Sequence, residues 1–183
     1  MYNNDKKDYS EKTLTTETIF DGKVIKVEVA DIELPDGKTA TREIVRHKGA
    51  VGILAISDEN KIILVKQYRK ALEQTIIEIP AGKLEIDENP EACAIRELKE
   101  ETGYTASNIN FIHKFYTSPG FADEIIYLYE AKMLIKGQAM PDEDEFVEIL
   151  ELSLAEVDSL VTGGQIVDAK TLVAIYYWRS KQA

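Results

Sequence analysis

The stretch Gly82–Tyr104, GKLEIDENPEACAIRELKEETGY, decides how the rest of the chain is read. Asn89 is a favoured helix cap, Pro90 brings the fixed φ that suits a first helical position, and Glu91 suits the positive first turn. Gly103 is the residue type most often found just past a helix C-terminus. A helix is therefore expected between Asn89 and Gly103. At 100° per residue, Ala92, Ala94, Ile95 and Leu98 are expected on one side, with Glu97, Glu100 and Glu101 together on the other. Like charges at these spacings destabilise an isolated helix by roughly 0.2–0.5 kcal/mol per pair. Carboxylates converging beside a glycine-bearing loop call for a cation, and hard, oxygen-preferring Mg²⁺ supplies one. Arg96 can fix a carboxylate through a forked ion pair. Gly82 permits a close backbone approach, which leaves the Ala81 carbonyl available to the metal.

Read as a pattern, Gly82, Glu88, Arg96, Glu97, Leu98, Glu100, Glu101, Gly103 and Tyr104 spell G-x5-E-x7-R-E-hydrophobic-x-E-E-x-G-hydrophobic. This resembles the Nudix box at every position. The resemblance implies a hydrolase that cleaves a diphosphate linked to some other group. It also implies an α/β/α sandwich with a mixed sheet over residues 48–183. Pro119 lies 16 residues after Gly103, a spacing associated with the ADP-ribose pyrophosphatase subgroup.

What that subgroup implies is carried over residue by residue. Glu97, Glu100 and Glu101, with the Ala81 carbonyl, would ligate Mg²⁺ or Mn²⁺. Arg96 and Glu88 would support them, with Arg96 counted among the catalytic residues. Arg69 resembles the arginine that meets the substrate diphosphate, Arg46 resembles a second substrate-side arginine, and Pro119 marks the same side. The aromatic residue that stacks on adenine has no counterpart at Gly22-Lys23-Val24, and Phe20 is the substitute nearby. The general base in this subgroup is a glutamate on a mobile loop outside the box. The run Asp142-Glu143-Asp144-Glu145 occupies that place, with Glu143 favoured and Glu145 next. The implied reaction is hydrolysis of ADP-ribose to AMP and ribose 5-phosphate. The alternatives are another nucleoside diphosphate sugar, such as GDP-mannose, and, more remotely, a non-catalytic ADP-ribose-binding regulator.

Length and charge agree with a small-molecule enzyme. The 183 residues suffice for one domain with a full core. A net charge of −11 without a basic stripe argues against nucleic-acid binding. Cys93 is the single cysteine and has no His or Asn placed to activate it, so it is expected to pack rather than react. No apolar run approaches membrane-spanning length, and MYNNDKKDYSEK carries no signal-peptide core. A cytoplasmic home without membrane partners is the expectation.

Outside the box the chain reads mostly as strands. TLTTETIF, VIKVEVADIEL and KTATREIVRH precede Lys48, the last two joined by a Pro35-Asp36-Gly37 turn. This segment, residues 1–47, is β-rich but too poor in bulky apolar residues for its own core. It is similar in placement to the N-terminal region of ADP-ribose pyrophosphatases, where strands are exchanged within a dimer, and so predicts a homodimer. Then come GAVGILAIS, KIILVKQYR and TIIEIPAG before the box, and INFIHKFYTS, EIIYLYEAKML and FVEILEL after it. Ser153 with Glu156 forms a capping box for a helix ending near Gly163, and Asp168 is positioned to cap a last helix. Strands with a box helix and C-terminal helices fit a three-layer α/β/α domain with an added N-terminal β segment.

Overall fold

The computed structural model describes residues 8–139 and 146–182. It divides into two compact units. The first comprises the chain up to Lys48 together with Tyr116–Glu124, and the second comprises Gly49–Phe115 with the chain from Ile125 onward.

The first unit is an antiparallel sheet of β1 (Lys12–Asp21), β2 (Ile25–Glu33) and β3 (Thr39–His47), ordered β1-β2-β3. The turn between β2 and β3 closes on Gly37, whose φ of 83° lies in the left-handed region open to glycine. The segment after Pro119 is bound to β3: Val45 N–H donates to Phe121 O at 2.8 Å, and Asp123 N–H donates to Val45 O at 3.1 Å. In β2, Ala30 and Ile32 are buried, whereas all ten residues of β1 are exposed.

The second unit is an α/β/α sandwich. Its sheet runs β10 (Glu148–Leu152), β5 (Ile62–Arg69), β4 (Ala50–Ile56), β9 (Ile125–Lys136), β8 (Tyr104–Tyr116). Two short strands branch from this path: β6 (Gln74–Glu78) pairs with β5, and β7 (Ala81–Lys83) pairs with β4. The sheet is mixed, because β4 runs parallel to β9 and antiparallel to β5 and β7. All seven residues of β4 are buried, so both sheet faces are covered. Val51, Ile53 and Ala55 pack with Cys93, Ala94 and Leu98 of α1 (Pro90–Thr102). On the other face Leu54 and Ile56 pack with Val157 of α2 (Leu154–Thr162) and Ile175 and Trp178 of α3 (Ala169–Ser180). Each fully buried aliphatic side chain contributes about 1.5–3 kcal/mol. The fold class expected from the sequence is the one observed.

The expected caps form. Asn89 accepts from the backbone N–H groups of Glu91 and Ala92 at 2.9 and 3.3 Å. Gly103 ends α1 at φ 73°, its N–H donating to Lys99 O at 2.8 Å. Ser153 and Glu156 form the reciprocal capping box, and Asp168 caps α3 through Thr171 N–H.

Several expectations are corrected. TIIEIPAG is not one strand: Pro80 has no N–H to donate, and the chain changes partners there, from β5 to β4. Strand β8 starts at Tyr104, directly after the Gly103 cap, rather than at Ile109. The faces of α1 also differ from the expected split. Ile95 is 44 % exposed, Ala92 is exposed and Glu101 is only 4 % exposed. The reason is geometric: Ala94, Leu98 and Glu101 at i, i+4 and i+7 share one face, while Ile95 sits about 100° away.

Candidate active site

The burial of Glu101 brings it to the start of β7. Its carboxylate accepts the Ala81 N–H at 3.0 Å. Glu97, one turn back on the helix, lies directly against Gly82. A methyl group placed on Gly82 would stand 1.7 Å from the Glu97 carboxyl carbon and 1.9 and 2.3 Å from its oxygens. The glycine is therefore required for space rather than for its dihedral angles. Two carboxylates from one helix thus meet two successive residues at the start of β7.

Arg96 ties the remaining acidic groups together. Its Nε and one terminal nitrogen fork onto the two oxygens of Glu88 at 2.9 and 3.0 Å. Its other terminal nitrogen reaches Glu97 at 2.7 Å and Glu100 at 3.0 Å. The guanidinium holds the Glu88 carboxyl down to about 2, and in turn Glu88 first, then Glu97 and Glu100, raise the Arg96 pKa. Glu88 also accepts the Glu85 N–H at 2.9 Å, which fixes the loop entering the helix. Burial pushes the Cys93 thiol up to about 12, an unreactive state that suits a packing residue.

Arg69 lies at the end of β5. Its Nε and one terminal nitrogen grip the two oxygens of Glu78 at 2.7 and 3.1 Å. Glu78 is 1 % exposed and is also bound by Lys170 from the first turn of α3. Lys170 meets Asp168 at 3.1 Å, and the Asp168 cap binds the Thr171 hydroxyl at 2.6 Å. Thr171 Oγ accepts the Ile79 N–H at 2.9 Å, joining α3 to the connection between β6 and β7.

Arg46 and Pro119 belong to the first unit. Arg46 donates to Glu28 at 2.9 Å and to Asp123 at 3.2 Å, and Asp123 also accepts the His47 N–H at 2.8 Å. Pro119 is exposed in the turn that Ser118 O closes by accepting the Phe121 and Ala122 N–H groups at 3.1 and 2.9 Å. Arg69, Ala81, Arg96, Glu97, Glu100 and Glu101 belong to the second unit. Glu143 and Glu145 lie outside the described residues. Glu78 and Lys170 escaped the sequence reading, although Glu78 is a carboxylate inside the apolar run TIIEIP, which was a usable signal.

Comparison with known proteins completes the assignment. The NUDIX domain family matches residues 46–173, and the nucleoside diphosphate sugar hydrolase N-terminal domain family matches residues 11–45. The chain belongs to the Nudix family. It is 55 % identical over 97 % of both chains to a Bacillus subtilis protein named ADP-ribose pyrophosphatase. It is 53 % identical, over 96 % of both, to a Bacillus methanolicus protein named methanol dehydrogenase activator. A Citrobacter koseri GDP-mannose pyrophosphatase matches 75 % of this chain and 81 % of its own at 32 % identity. The fold also matches a solved structure described as an ADP compounds hydrolase. The TM-score is 0.83 with 24 % identity, covering 95 % of each chain.

Nudix hydrolases work with divalent metal ions, and the residues around Gly82 fit one. The available donors are carboxylate and carbonyl oxygens, the set that hard divalent cations take. Among the described residues no three acidic, His or Cys side chains already stand as a metal-holding cluster. Instead one Arg96 nitrogen gathers Glu97 and Glu100, and the cradle at Gly82 seats Glu97 where a Cβ would exclude it. No helix among the described residues is long and apolar enough to cross a membrane.

Proposed function

We propose that this protein hydrolyses the diphosphate of ADP-ribose to AMP and ribose 5-phosphate, using Mg²⁺ or Mn²⁺. The observation that carries the reading is the convergence of Glu97 and Glu101 on Ala81 and Gly82 at the start of β7. The relative 55 % identical along nearly the whole chain supports ADP-ribose over GDP-mannose, whose named relative is more distant.

Glu97, Glu100, Glu101 and the Ala81 carbonyl would hold the metal, which offsets diphosphate charge and makes a bound water more acidic. Arg96 keeps Glu97 and Glu100 oriented and is itself anchored by Glu88. Arg69 would bind the substrate diphosphate, and Arg46 and Pro119 are further substrate-binding candidates. Glu143, or Glu145 two residues along, takes the proton of the attacking water. No covalent intermediate is needed, which suits a chain whose one thiol is held protonated.

Residues 1–47 form a dimerisation and substrate segment and residues 48–183 the hydrolase domain. The assembly is a homodimer: β1 and the turn after it leave Leu14, Ile19, Phe20 and Val24 exposed, an apolar set that a second copy would cover. The protein acts in the cytoplasm, consistent with its one buried, unpaired cysteine. A panel of ADP-ribose, GDP-mannose and other nucleoside diphosphate sugars, compared by kcat/KM with Mg²⁺, tests the substrate. A preference for GDP-mannose would overturn it. A second reading rests on the 53 % identical relative: the protein activates a methanol dehydrogenase. Dehydrogenase turnover with and without this protein tests that reading directly.

A further inference from the structure

The buried Glu78 is the side chain that the proposed reaction leaves unexplained. It carries a carboxylate into the apolar strand β6 with its side chain 2 % exposed, a costly placement unless its charge is fully met. Two cations meet it. Arg69 takes both oxygens through a fork, and Lys170, whose side chain is 13 % exposed, binds the second oxygen from α3. Asp168 balances Lys170, so the four groups are neutral together.

The geometry of this fork is directional. Glu78 is paired across the sheet with Val65, four residues before Arg69 on the same face of β5. Arg69 must therefore lie back along the sheet to reach Glu78 rather than extend into solvent. Glu78 stands three residues before Ala81, whose N–H the Glu101 carboxylate accepts. One terminal nitrogen of Arg69 takes part in neither bond to Glu78, and the side chain stays 40 % exposed.

We propose that Glu78 and Lys170 are positioning residues for Arg69. Glu78 draws the guanidinium back along the sheet toward the start of β7 and leaves its remaining edge for a diphosphate oxygen. Lys170 binds the second oxygen of Glu78 from α3, so that the buried carboxylate is held between two cations and keeps its orientation toward Arg69. This rests on the reading of Arg69 as the arginine that meets the diphosphate.

The test compares Arg69→Ala, Glu78→Gln and Lys170→Met, singly and with Arg69→Ala as the background, in steady-state hydrolysis of ADP-ribose with saturating Mg²⁺. Glu78→Gln keeps the shape of the side chain, and Lys170→Met serves if Glu78→Gln fails to fold. A charge-assisted hydrogen bond of this kind is worth roughly 10- to 100-fold. Glu78→Gln and Lys170→Met are expected to raise KM within that range while kcat changes little. Neither is expected to lower kcat/KM further once Arg69 is Ala, and Lys170→Arg is expected to restore KM. Losses that multiply undiminished in the Arg69→Ala background would overturn the proposal, because they would mark a general structural role. So would normal kinetics of both variants beside an impaired Arg69→Ala. A silent Arg69→Ala would remove the reading of Arg69 itself, and the proposal with it.

Discussion

Gly82→Ala separates the fold from the site more cleanly than any acidic substitution. The glycine is not held at a positive φ, so an alanine backbone fits there. The added methyl does not, because it would stand 1.7 Å from the Glu97 carboxyl carbon. Ordinary contact requires about 3.5 Å, so the carboxylate must retreat by roughly 1.5–2 Å. It can do so, because it is the far end of a flexible side chain whose rotamer change costs about 0.5–1.5 kcal/mol. Replacing glycine recovers about 0.4–1 kcal/mol from the unfolded chain, so the net change in stability is close to zero. The 2.7 Å bond from Arg96 to Glu97 is lost or re-formed elsewhere. A misplacement of about 1 Å in a catalytic constellation can cost 10²-fold, and that is the minimum loss of kcat/KM expected here. Thermal unfolding and ADP-ribose hydrolysis at saturating Mg²⁺ are measured on the same preparation. The expected pair is a Tm within a few degrees of the parent and a kcat/KM at least about 10²-fold lower. Parent-level kcat/KM and metal requirement would refute the placement of the Glu97 carboxylate against Gly82 as a functional feature.

Glu101→Gln is expected to fold and lose turnover by several orders of magnitude, since the amide can still accept the Ala81 N–H but brings no charge; near-normal kcat with excess Mg²⁺ would contradict its role as a ligand. Glu143→Gln is expected to lower kcat by about 10²–10⁴-fold with KM nearly unchanged. If that variant is silent and Glu145→Gln carries the loss, the base lies two residues along; full kcat in the double variant would place it elsewhere. The Glu88–Arg96 pair predicts a pH dependence. The Glu88 carboxyl is depressed in the folded state, from 4.5 to about 2, so its contribution is complete above pH 4.5 and disappears as pH falls through about 2. Glu88→Gln is expected to cost ~1 kcal/mol at neutral pH once solvent screening is allowed for, and the Tm gap to the parent should close on acidification across that window. A gap that is constant or widens toward pH 2 would contradict the ion pair. Truncation to a chain starting at Lys48 is expected to give a monomeric or insoluble, inactive product. A full-length protein that is active while sedimenting as a monomer at micromolar concentration would remove the dimer.

The box helix was legible because its determinants are local. Asn89, Pro90 and Gly103 act within one turn of themselves, and the caps form as the residues dictate. The buried central strand was legible from the apolar run GAVGILAIS, which needs cover on both faces, whereas the mixed sheet was implied by the resemblance of the box. What escaped the sequence depends on chain neighbours in space. Pro80 divides one apparent strand into two because β4, not β5, lies beside Ala81. The exchange of Ile95 for Glu101 on the buried side of α1 followed from assigning faces by polarity, when angular position made Glu101 the companion of Leu98. Arg69, Glu78 and Lys170 meet across as many as 92 positions of sequence, and no local pattern announces a pair of that separation. Arg46 was singled out from the sequence, but its partners Glu28 and Asp123 are likewise distant along the chain.

The central claim is that the carboxylates around Gly82 direct a divalent metal against the diphosphate of ADP-ribose. Phosphorus NMR of the purified protein with ADP-ribose, before and after adding Mg²⁺ to a chelator-treated sample, tests it most directly. The two diphosphate resonances are expected to persist without metal and to be replaced, on adding Mg²⁺, by two phosphomonoester signals, those of AMP and ribose 5-phosphate. Diphosphate signals that survive both Mg²⁺ and Mn²⁺, or that vanish equally fast in the chelated sample, would contradict it.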